Sequence, residues 1–357
     1  MSTNAATSKC PACSTPFEVG TNFCGVCGAA LSHIGPSGDP YIGANIGGRY
    51  TVKQLIGRGG MGDVYLAIHE KLGQKVAIKF LPDRLSGQPA IVQRFFNEAR
   101  STCRVSHPNA VSLHDFGQSA TGALYIIMEY IDGEPLSTVV RRDGRLPLPT
   151  ILDITIQLCD ALYAAHEQQV IHRDLKPDNI MLTRGRGGRY RVKVLDFGIA
   201  KLLDDGESSL TQTGTVFGTP EFMSPEQASG APVDGRSDLY GVAMILYYLV
   251  CGGRLPFEGK DRIAILGRQV DEYPTPPSKR TPAFDIPPEV EAIIMRGLEK
   301  AAGKRYPSMA ALAEALERIQ AGPTQTEPIH TPGPMKTLLG LGEYPSQKAF
   351  LVVHLAL

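Results

Sequence analysis

The stretch HRDLKPDNIML, residues 172–182, decides how this sequence is interpreted, and DFGIAK follows it from residue 196. Two further motifs lie toward the C-terminus: GTPEFMSPE at 218–226 and SDLYGVAMIL at 237–246. Each of the first three motifs places charged residues at fixed positions within a short run. The ordered set, rather than any one motif, carries the functional interpretation.

A glycine-rich pattern, Gly57-x-Gly59-x-x-Gly62, lies upstream of these motifs. Alone it is compatible with a dinucleotide fingerprint, a phosphate loop or a simple turn. In the dinucleotide fold a helix would follow it, whereas here the strand-like VYLAI at 64–68 follows, so we predict a hairpin. Glycines in such a hairpin let backbone N–H groups lie over phosphates, because no side chain intervenes. Lys79 follows within VAIK.

Taken together, these motifs resemble those of the protein-kinase family. The resemblance covers about residues 49–320 and is nearest to the bacterial eukaryotic-like Ser/Thr kinases, as LTQTGTVFGTPEFMSPEQ at 210–227 suggests. It implies an α+β, bilobal fold with a small β-rich N-lobe and a larger helical C-lobe. It also implies a non-specific Ser/Thr protein kinase in bacterial signal transduction. Such an enzyme transfers the γ-phosphoryl group of ATP to protein substrates, itself included, with Mg²⁺ or Mn²⁺.

The periodicity of the chain agrees with a sheet-rich part followed by a helical part. Strand patterns occur at 64–68, 75–80 and 123–131, and helical spacing occurs at 90–104 and from Ile151 onward. The segment 237–251 is apolar nearly all round, so it predicts a central buried helix that Ser237 caps. A ligand site is expected in the cleft between the two parts.

The resemblance assigns roles to several charged residues. Lys79 would hold the α- and β-phosphates, and Glu98 would fix its ammonium group. Asp174 would take the proton of the acceptor hydroxyl. Asp196 and Asn179 would be the magnesium ligands. An exposed helix charge remains the alternative for Glu98.

Other residues would support this site. Lys176 marks the Ser/Thr branch and would steady the transferred group, and Thr219 would help to shape the acceptor site. Asp238 would hold the backbone of the catalytic loop. Glu226 would pair with Arg305, although the chain has SPE in place of APE and lacks the Pro that usually precedes the Arg.

The nucleotide pocket follows from the same resemblance. Glycine backbone would cover the phosphates, Met128 would guard the back of the pocket, and apolar side chains would sandwich adenine. A plain core strand is equally compatible with the apolar members. The full set is Ile56, Gly57, Gly59, Gly62, Val64, Ala77, Lys79, Met128, Glu129 and Ile131.

Four of the seven cysteines form two CxxC pairs: Cys10 with Cys13 and Cys24 with Cys27. Four thiolates can close a tetrahedral zinc site, and such a closed site is structural rather than catalytic. The segment resembles the zinc-ribbon family. Two disulfides or idle thiols are the alternative. A segment this short has almost no core, so bound zinc would supply its folding energy.

Composition sets the remaining expectations. Lys plus Arg and Asp plus Glu both number 36, so a uniformly basic chain that coats nucleic acid is excluded. No signal peptide or membrane span is predicted, and the cytoplasm is the expected compartment. The expected organisation is a zinc ribbon at 8–31, a linker at 32–48, a kinase domain at 49–320 and a Pro-rich linker with a short tail at 321–357.

Two other functions compete with this interpretation. A pseudokinase scaffold is disfavoured because the transfer residues are all present. A nucleic-acid role for the ribbon is disfavoured because only Lys9 lies nearby, whereas counterion release needs several cations. Phosphorylation of the segment between Asp196 and Glu226 is expected to activate the enzyme. Thr213 is the favoured site, followed by Thr211 and Thr215. A dimer would allow one chain to phosphorylate the other.

Overall fold

The structure is a computed structural model of the chain, and it describes two lobes and a short N-terminal hairpin. The described residues are 7–10, 13–18, 26–27, 39–60, 62–197, 219–259 and 261–321. The predicted bilobal α+β fold is confirmed: a sheet-rich lobe precedes a helical lobe along the chain.

The N-lobe is built on a six-stranded antiparallel sheet. Its strand order is β3-β4-β5-β6-β8-β7. The strands are β3 (Asn45–Ile46), β4 (Tyr50–Gly59), β5 (Gly62–His69), β6 (Lys75–Phe80), β7 (Leu113–Gln118) and β8 (Leu124–Glu129). The strands predicted at 64–68, 75–80 and 123–131 therefore form, with small shifts at their ends.

The alternation of side chains along β6 orients Lys79. Val76, Ile78 and Phe80 pack in an aromatic-rich cluster on one face of the sheet. Ala77, on the other face, belongs to the main core together with helical residues. Because successive strand residues point to opposite faces, Lys79 shares the face of Ala77, toward the rest of the molecule. Only 3% of Lys79 is exposed.

Helix α2 covers this inner face. A short helix, α1 (Asp83–Ser86), precedes α2 (Pro89–Thr102), whose buried residues are spaced by three or four: Ile91, Phe95, Ala99 and Thr102. This spacing places them on one helical face. Glu98 lies on α2, beside a small apolar cavity that Phe95, Leu113 and Ile126 help to line.

The glycine-rich pattern lies in the hairpin between β4 and β5, as predicted. Gly59 pairs with Gly62 across its tip. Gly62 has a φ of +118°, and a Cβ atom there would lie 1.9 Å from the backbone oxygen of Phe80. Gly62 is therefore required by its backbone conformation and by the close approach of β6.

The C-lobe is mainly helical, with one three-stranded sheet of order β11-β10-β9. Its strands are β9 (Glu134–Pro135), β10 (Ile180–Arg184) and β11 (Tyr190–Val194). Its helices are α3 (Leu136–Asp143), α4 (Leu148–Glu167), α5 (Pro225–Ser229), α6 (Gly235–Val250), α7 (Arg262–Asp271), α8 (Pro277–Arg280), α9 (Pro288–Gly297) and α10 (Met309–Ala321).

Helix α6 is the central element of this lobe. Nearly all of its residues are buried, so the prediction of a central buried helix is confirmed. Its N-cap is not the predicted Ser237 but Asp234, whose carboxylate accepts the N–H of Arg236 at 2.8 Å. The helix begins earlier than predicted because Asp234 is the better placed capping side chain, which leaves the Ser237 hydroxyl to donate to Glu226.

Helix α4 is, within the described part of the chain, the helix that is long and apolar enough to span a membrane by length and composition. Half of its apolar stretch is buried, and the buried apolar residues of α4 belong to the main core. A core helix of a globular lobe has these properties.

The packing of α9 on α6 generates a stability prediction. A Cβ atom on Gly297 would lie 2.5 Å from the Cβ of Ala243, whereas a Cβ on the exposed helical Gly267 would meet nothing within 4 Å. We expect Gly297→Ala to lower the free energy of unfolding by about 1–3 kcal/mol through overpacking. Gly267→Ala should raise it by about 0.5–1 kcal/mol, because glycine costs more backbone entropy in a helix.

Urea unfolding followed by circular dichroism measures both variants. Changes of the same sign would contradict the packing described for the interface of α6 and α9.

Candidate active site

Asp238, at the start of α6, fixes residues 168–179, which connect α4 to β10 and are termed the catalytic loop. One carboxylate oxygen accepts the backbone N–H of His172 at 2.9 Å, and the other accepts that of Arg173 at 3.0 Å. Asp238 is 2% exposed. The contact predicted between Asp238 and this loop is therefore present.

His166, near the end of α4, completes the environment of Asp238. Its Nε2 lies 2.7 Å from a carboxylate oxygen of Asp238. Burial alone would raise the pKa of Asp238, but the hydrogen bond and charge of His166 and the backbone amide of Arg173 hold it below its ordinary value. The sequence interpretation missed His166, and its position in α4 carries no pattern that would have indicated this contact.

His172 connects the loop to the segment that contains Asp196. Its Nε2 lies 2.7 Å from the backbone oxygen of Leu195, and its ring packs edge-on against Phe197 at 5.1 Å between centroids. Leu195 in turn donates its N–H to the backbone oxygen of Asn179 at 2.9 Å. Both hydrogen bonds thus join the loop to Leu195, immediately before Asp196, and the ring contact reaches Phe197, immediately after it.

The side chains of Asp174, Lys176 and Asn179 converge within this loop. Nδ2 of Asn179 donates to the backbone oxygen of Asp174 at 2.7 Å and to its carboxylate at 3.0 Å. Lys176 Nζ lies 2.9 Å from the same carboxylate. Asp174 and Asn179 are each 7% exposed. The structure therefore brings these three predicted site residues together.

Lys79 reaches across from the N-lobe to Asp196. Its Nζ lies 2.7 Å from the carboxylate, at side-chain exposures of 4% and 18%. The ion pair shown for Lys79 is therefore with Asp196, which follows β11. The predicted Lys79–Glu98 pair stays a prediction. Burial alone would raise the pKa of Asp196, but the charge and hydrogen bond of Lys79 hold it below its ordinary value.

The strands predicted to contact adenine lie next to one another. Ala77 pairs with Met128 between β6 and β8, and Val64 pairs with Lys79 between β5 and β6. Ile56, in β4, is 41% exposed. These side chains remain predictions for the adenine pocket, since a core strand would also accommodate them.

Glu129 and Ile131 follow at the connection between the lobes. The N–H of Glu129 donates to the backbone oxygen of Ser112 at 3.0 Å, so a bond from Glu129 to adenine would have to use its carbonyl oxygen. The Glu129 side chain binds Lys193 Nζ at 2.6 Å. This pair ties the end of β8 to β11.

A buried glutamine, Gln269 in α7, holds the segment that follows Thr219. Its Nε2 donates to the backbone oxygens of Pro220 and Glu221 at 3.1 and 2.9 Å, and its Oε1 accepts the Tyr240 hydroxyl at 2.6 Å. The sequence interpretation missed Gln269. Thr219 itself lies at the edge of the described residues, and its contact with the catalytic loop stays a prediction.

Glu226 and Arg305 form a bidentate ion pair, as predicted. The pair forms although the chain has SPE in place of APE and lacks the usual Pro before the Arg. The two N···O distances are 2.7 and 2.8 Å, and Arg305 is 2% exposed. Burial alone would raise the pKa of Glu226, but hydrogen bonds from Arg305 and Ser237 hold it below its ordinary value.

Three of the four predicted zinc ligands lie together. The Sγ atoms of Cys10, Cys13 and Cys27 all lie within 4.8 Å of one another, and those of Cys10 and Cys27 are 3.6 Å apart. The short hairpin of β1 (Thr7–Lys9) and β2 (Pro16–Glu18) flanks the first two. Cys24 and the predicted phosphorylation sites, which fall within 198–218, lie outside the described residues.

Comparison with known proteins identifies the family of this chain. The protein kinase domain family matches residues 50–316, so the chain belongs to the protein-kinase family. It is 43% identical over 286 residues to the serine/threonine-protein kinase pkn3 of Myxococcus xanthus, covering 80% of this chain and 52% of that one. It is 38% identical over 299 residues to PknA of Mycobacterium tuberculosis, covering 83% and 67%.

Among solved structures, the PknI kinase domain of M. tuberculosis aligns with a TM-score of 0.62 at 29% identity, covering 78% of this chain and 98% of that one. The predicted membership of the serine/threonine-protein kinases is confirmed. The chain spans about half the length of pkn3 and 41% of the length of Pkn1, another M. xanthus relative.

The Glu226–Arg305 pair generates a pH-dependent prediction. Because the pKa of Glu226 is lower in the folded state, the pair stabilises the protein above the ordinary carboxyl pKa and loses this effect as the pH falls. Glu226→Gln leaves Arg305 buried and uncompensated, so we expect a loss of about 3 kcal/mol at pH 7. The difference from wild type should shrink toward pH 3.5.

Denaturant unfolding at both pH values measures this effect. Glu272→Gln is the matched control, because Glu272 pairs with Arg268 at the surface and should contribute no more than about 0.5 kcal/mol. A pH-independent difference for Glu226→Gln would contradict the assignment.

Proposed function

We propose that this chain is an active serine/threonine protein kinase that transfers the γ-phosphoryl group of ATP to protein hydroxyls. The observation that carries the proposal is the convergence of Asp174, Lys176 and Asn179 in one loop. One backbone hydrogen bond and the His172 side chain join this loop to the segment that holds Asp196 against Lys79. Phosphoryl transfer depends on positioning and on charge neutralisation, which such a constellation supplies.

Asp174 is the proposed base for the acceptor hydroxyl. Its carboxylate is oriented by Asn179 Nδ2 and paired with Lys176 Nζ, so its position is fixed from two sides. Lys176 places a positive charge beside the group that receives the phosphoryl, where negative charge is shared in the transition state. Lys79 supplies a second positive charge from the N-lobe side of the cleft.

The donor set fits a hard divalent cation. Asn179 uses its amide nitrogen for Asp174, which leaves the amide oxygen as its available donor, and Asp196 contributes a carboxylate. Such oxygen ligands suit Mg²⁺. Asn179 and Asp196 would hold the ion, which when bound neutralises phosphate charge. In the nucleotide-bound state we propose that Lys79 exchanges Asp196 for phosphate and Glu98.

A structural zinc ion in the N-terminal segment is the second part of the proposal. The three thiols of Cys10, Cys13 and Cys27 lie close enough for one tetrahedral ion, and Cys24 is the proposed fourth ligand. A protein-docking or regulatory role suits this segment better than nucleic-acid binding. The domain boundaries at 8–31, 32–48, 49–320 and 321–357 remain part of this proposal, except that Asn45–Ile46, near the end of the predicted linker, forms β3 of the N-lobe sheet.

The biological setting follows from the relatives. We propose a cytoplasmic role in bacterial signalling, with protein substrates and autophosphorylation in the segment between Asp196 and Glu226, Thr213 first. Trans-autophosphorylation would require transient dimerisation.

The catalytic proposal predicts the effect of Asp174→Asn. The variant keeps the shape of the side chain but cannot take the acceptor proton, so we expect kcat to fall at least about 100-fold while ATP affinity changes little. Incorporation of labelled phosphate and nucleotide titration measure the two quantities. Asp178→Asn is the matched control, because Asp178 lies in the same loop but accepts the hydroxyl of Ser137 in α3 and makes none of the Asp174 contacts described above. Equal incorporation by wild type and Asp174→Asn would contradict the proposal.

The metal proposal predicts about one zinc per chain by elemental analysis. Cys27→Ser should reduce the zinc content to near zero, whereas Cys103→Ser, at an exposed thiol away from the cluster, should leave it unchanged. Kinase activity assayed in excess Mg²⁺ should survive removal of zinc by a zinc-selective chelator, because the proposed ribbon at 8–31 lies outside the proposed kinase domain at 49–320. Unfolding of the kinase domain on chelation would disprove this independence.

A further inference from the structure

The residue before the proposed base has an unusual backbone conformation. Arg173 has a φ of +68°, in the left-handed region that non-glycine residues seldom adopt. Such a conformation persists only where surrounding contacts determine it. The two peptide groups that flank the Cα of Arg173 therefore need partners that hold them in place.

Both peptide groups of Arg173 are held by side chains from other elements. Its N–H donates to Asp238 at 3.0 Å, and its carbonyl oxygen accepts from Nε2 of Gln227 at 2.6 Å. The second peptide group joins Arg173 to Asp174. Its orientation therefore sets the direction in which the Asp174 side chain leaves the backbone.

Gln227 is itself held by a capping box at the start of α5. The Ser224 N–H donates to Oε1 of Gln227 at 3.1 Å, and the Gln227 N–H donates to the Ser224 hydroxyl at 3.3 Å. The amide oxygen is used by the cap and the amide nitrogen by Arg173. A flipped amide would set donor against donor and acceptor against acceptor, so these partners fix its orientation.

The helix that carries Gln227 is anchored by contacts of its own. The preceding residue, Glu226, forms the bidentate pair with Arg305 and accepts the Ser237 hydroxyl. Because α5 cannot shift without breaking this pair, Gln227 presents its amide to the catalytic loop from a fixed position. Asp238 and Gln227 thus clamp Arg173 from two different helices.

We propose that Gln227 is a positioning residue for phosphoryl transfer: it holds the carbonyl of Arg173, keeps that residue in its left-handed conformation and so directs the carboxylate of Asp174. The inference rests on the proposed kinase activity. The capping box of Ser224 and Gln227 thus has two roles: it begins helix α5, and it joins α5 to the catalytic loop through Arg173.

The decisive variant is Gln227→Glu. Glutamate completes the same capping box, because its carboxylate accepts the Ser224 N–H, but it cannot donate to Arg173. We expect kcat to fall about 10- to 100-fold through misplacement of Asp174, with the KM for ATP within about twofold of wild type and a loss of Tm no larger than that of Ser224→Ala. A merely structural role would not produce this separation of kcat from ATP KM and Tm.

The matched control is Ser224→Ala, which removes the hydroxyl of the cap but keeps the backbone N–H that binds Gln227. It should lower Tm by about 2–4 °C while kcat stays within about threefold of wild type. Wild-type kcat in Gln227→Glu would overturn the inference. Equal losses of kcat and Tm in both variants would also overturn it and would assign Gln227 to stability alone.

Hydrogen exchange provides an activity-independent measurement on the full chain. Backbone amides of the catalytic loop should exchange faster in Gln227→Glu than in wild type or Ser224→Ala, and unchanged exchange would overturn the inference. If wild type and Asp174→Asn transfer phosphate equally, the proposed function fails. If wild type is active and Gln227→Glu matches it, only the role of Gln227 fails.

Discussion

The buried carboxylate of Asp238 is the interaction on which the rest of the site depends. Its oxygens accept two consecutive backbone amides of the catalytic loop and contact His166. A buried charge is tolerated only when its hydrogen bonds are satisfied, so the loop cannot leave Asp238 without exposing an uncompensated carboxylate. The position of helix α6 and the conformation of the loop are therefore coupled. The apolar packing around α6 therefore also fixes the position of Asp238 and, through it, the catalytic loop.

The two lobes meet the site through a few specific contacts. Lys79 extends from β6 to Asp196, and Glu129 at the end of β8 binds Lys193 in β11. The backbone of Val111 also donates to Val194 at 2.9 Å. Strand β11, which ends two residues before Asp196, is thereby held by contacts from the N-lobe as well as from its own lobe. A change in the Lys79–Asp196 contact can accompany nucleotide binding without disturbing the backbone bond that joins the lobes.

Much of this arrangement was predictable from the sequence because motif residues carry their chemistry in a local pattern. The positions of Lys79, Asp174 and Asn179, the glycine hairpin and the buried α6 all follow from such patterns. The pairing of Lys79 with Asp196 did not, since it depends on how two distant segments approach. The contacts of His166 and Gln269 are equally non-local. Gln227 is intermediate: the S-x-x-Q pattern indicates a capping box but not the carbonyl beyond it.

The glycine hairpin has a consequence for how sequence change is tolerated. Only Gly62 among its three motif glycines has a positive φ and a backbone oxygen in the way of a side chain, whereas the nearest atoms to a Cβ on Gly57 and Gly59 lie 3.9 and 3.8 Å away. Folding alone therefore requires glycine at position 62, whereas at positions 57 and 59 the proposed contact with nucleotide is the remaining constraint. A codon-randomised library sorted first for soluble expression and then for ATP retention would separate these pressures. Alanine should pass the first sort at positions 57 and 59 but not at 62.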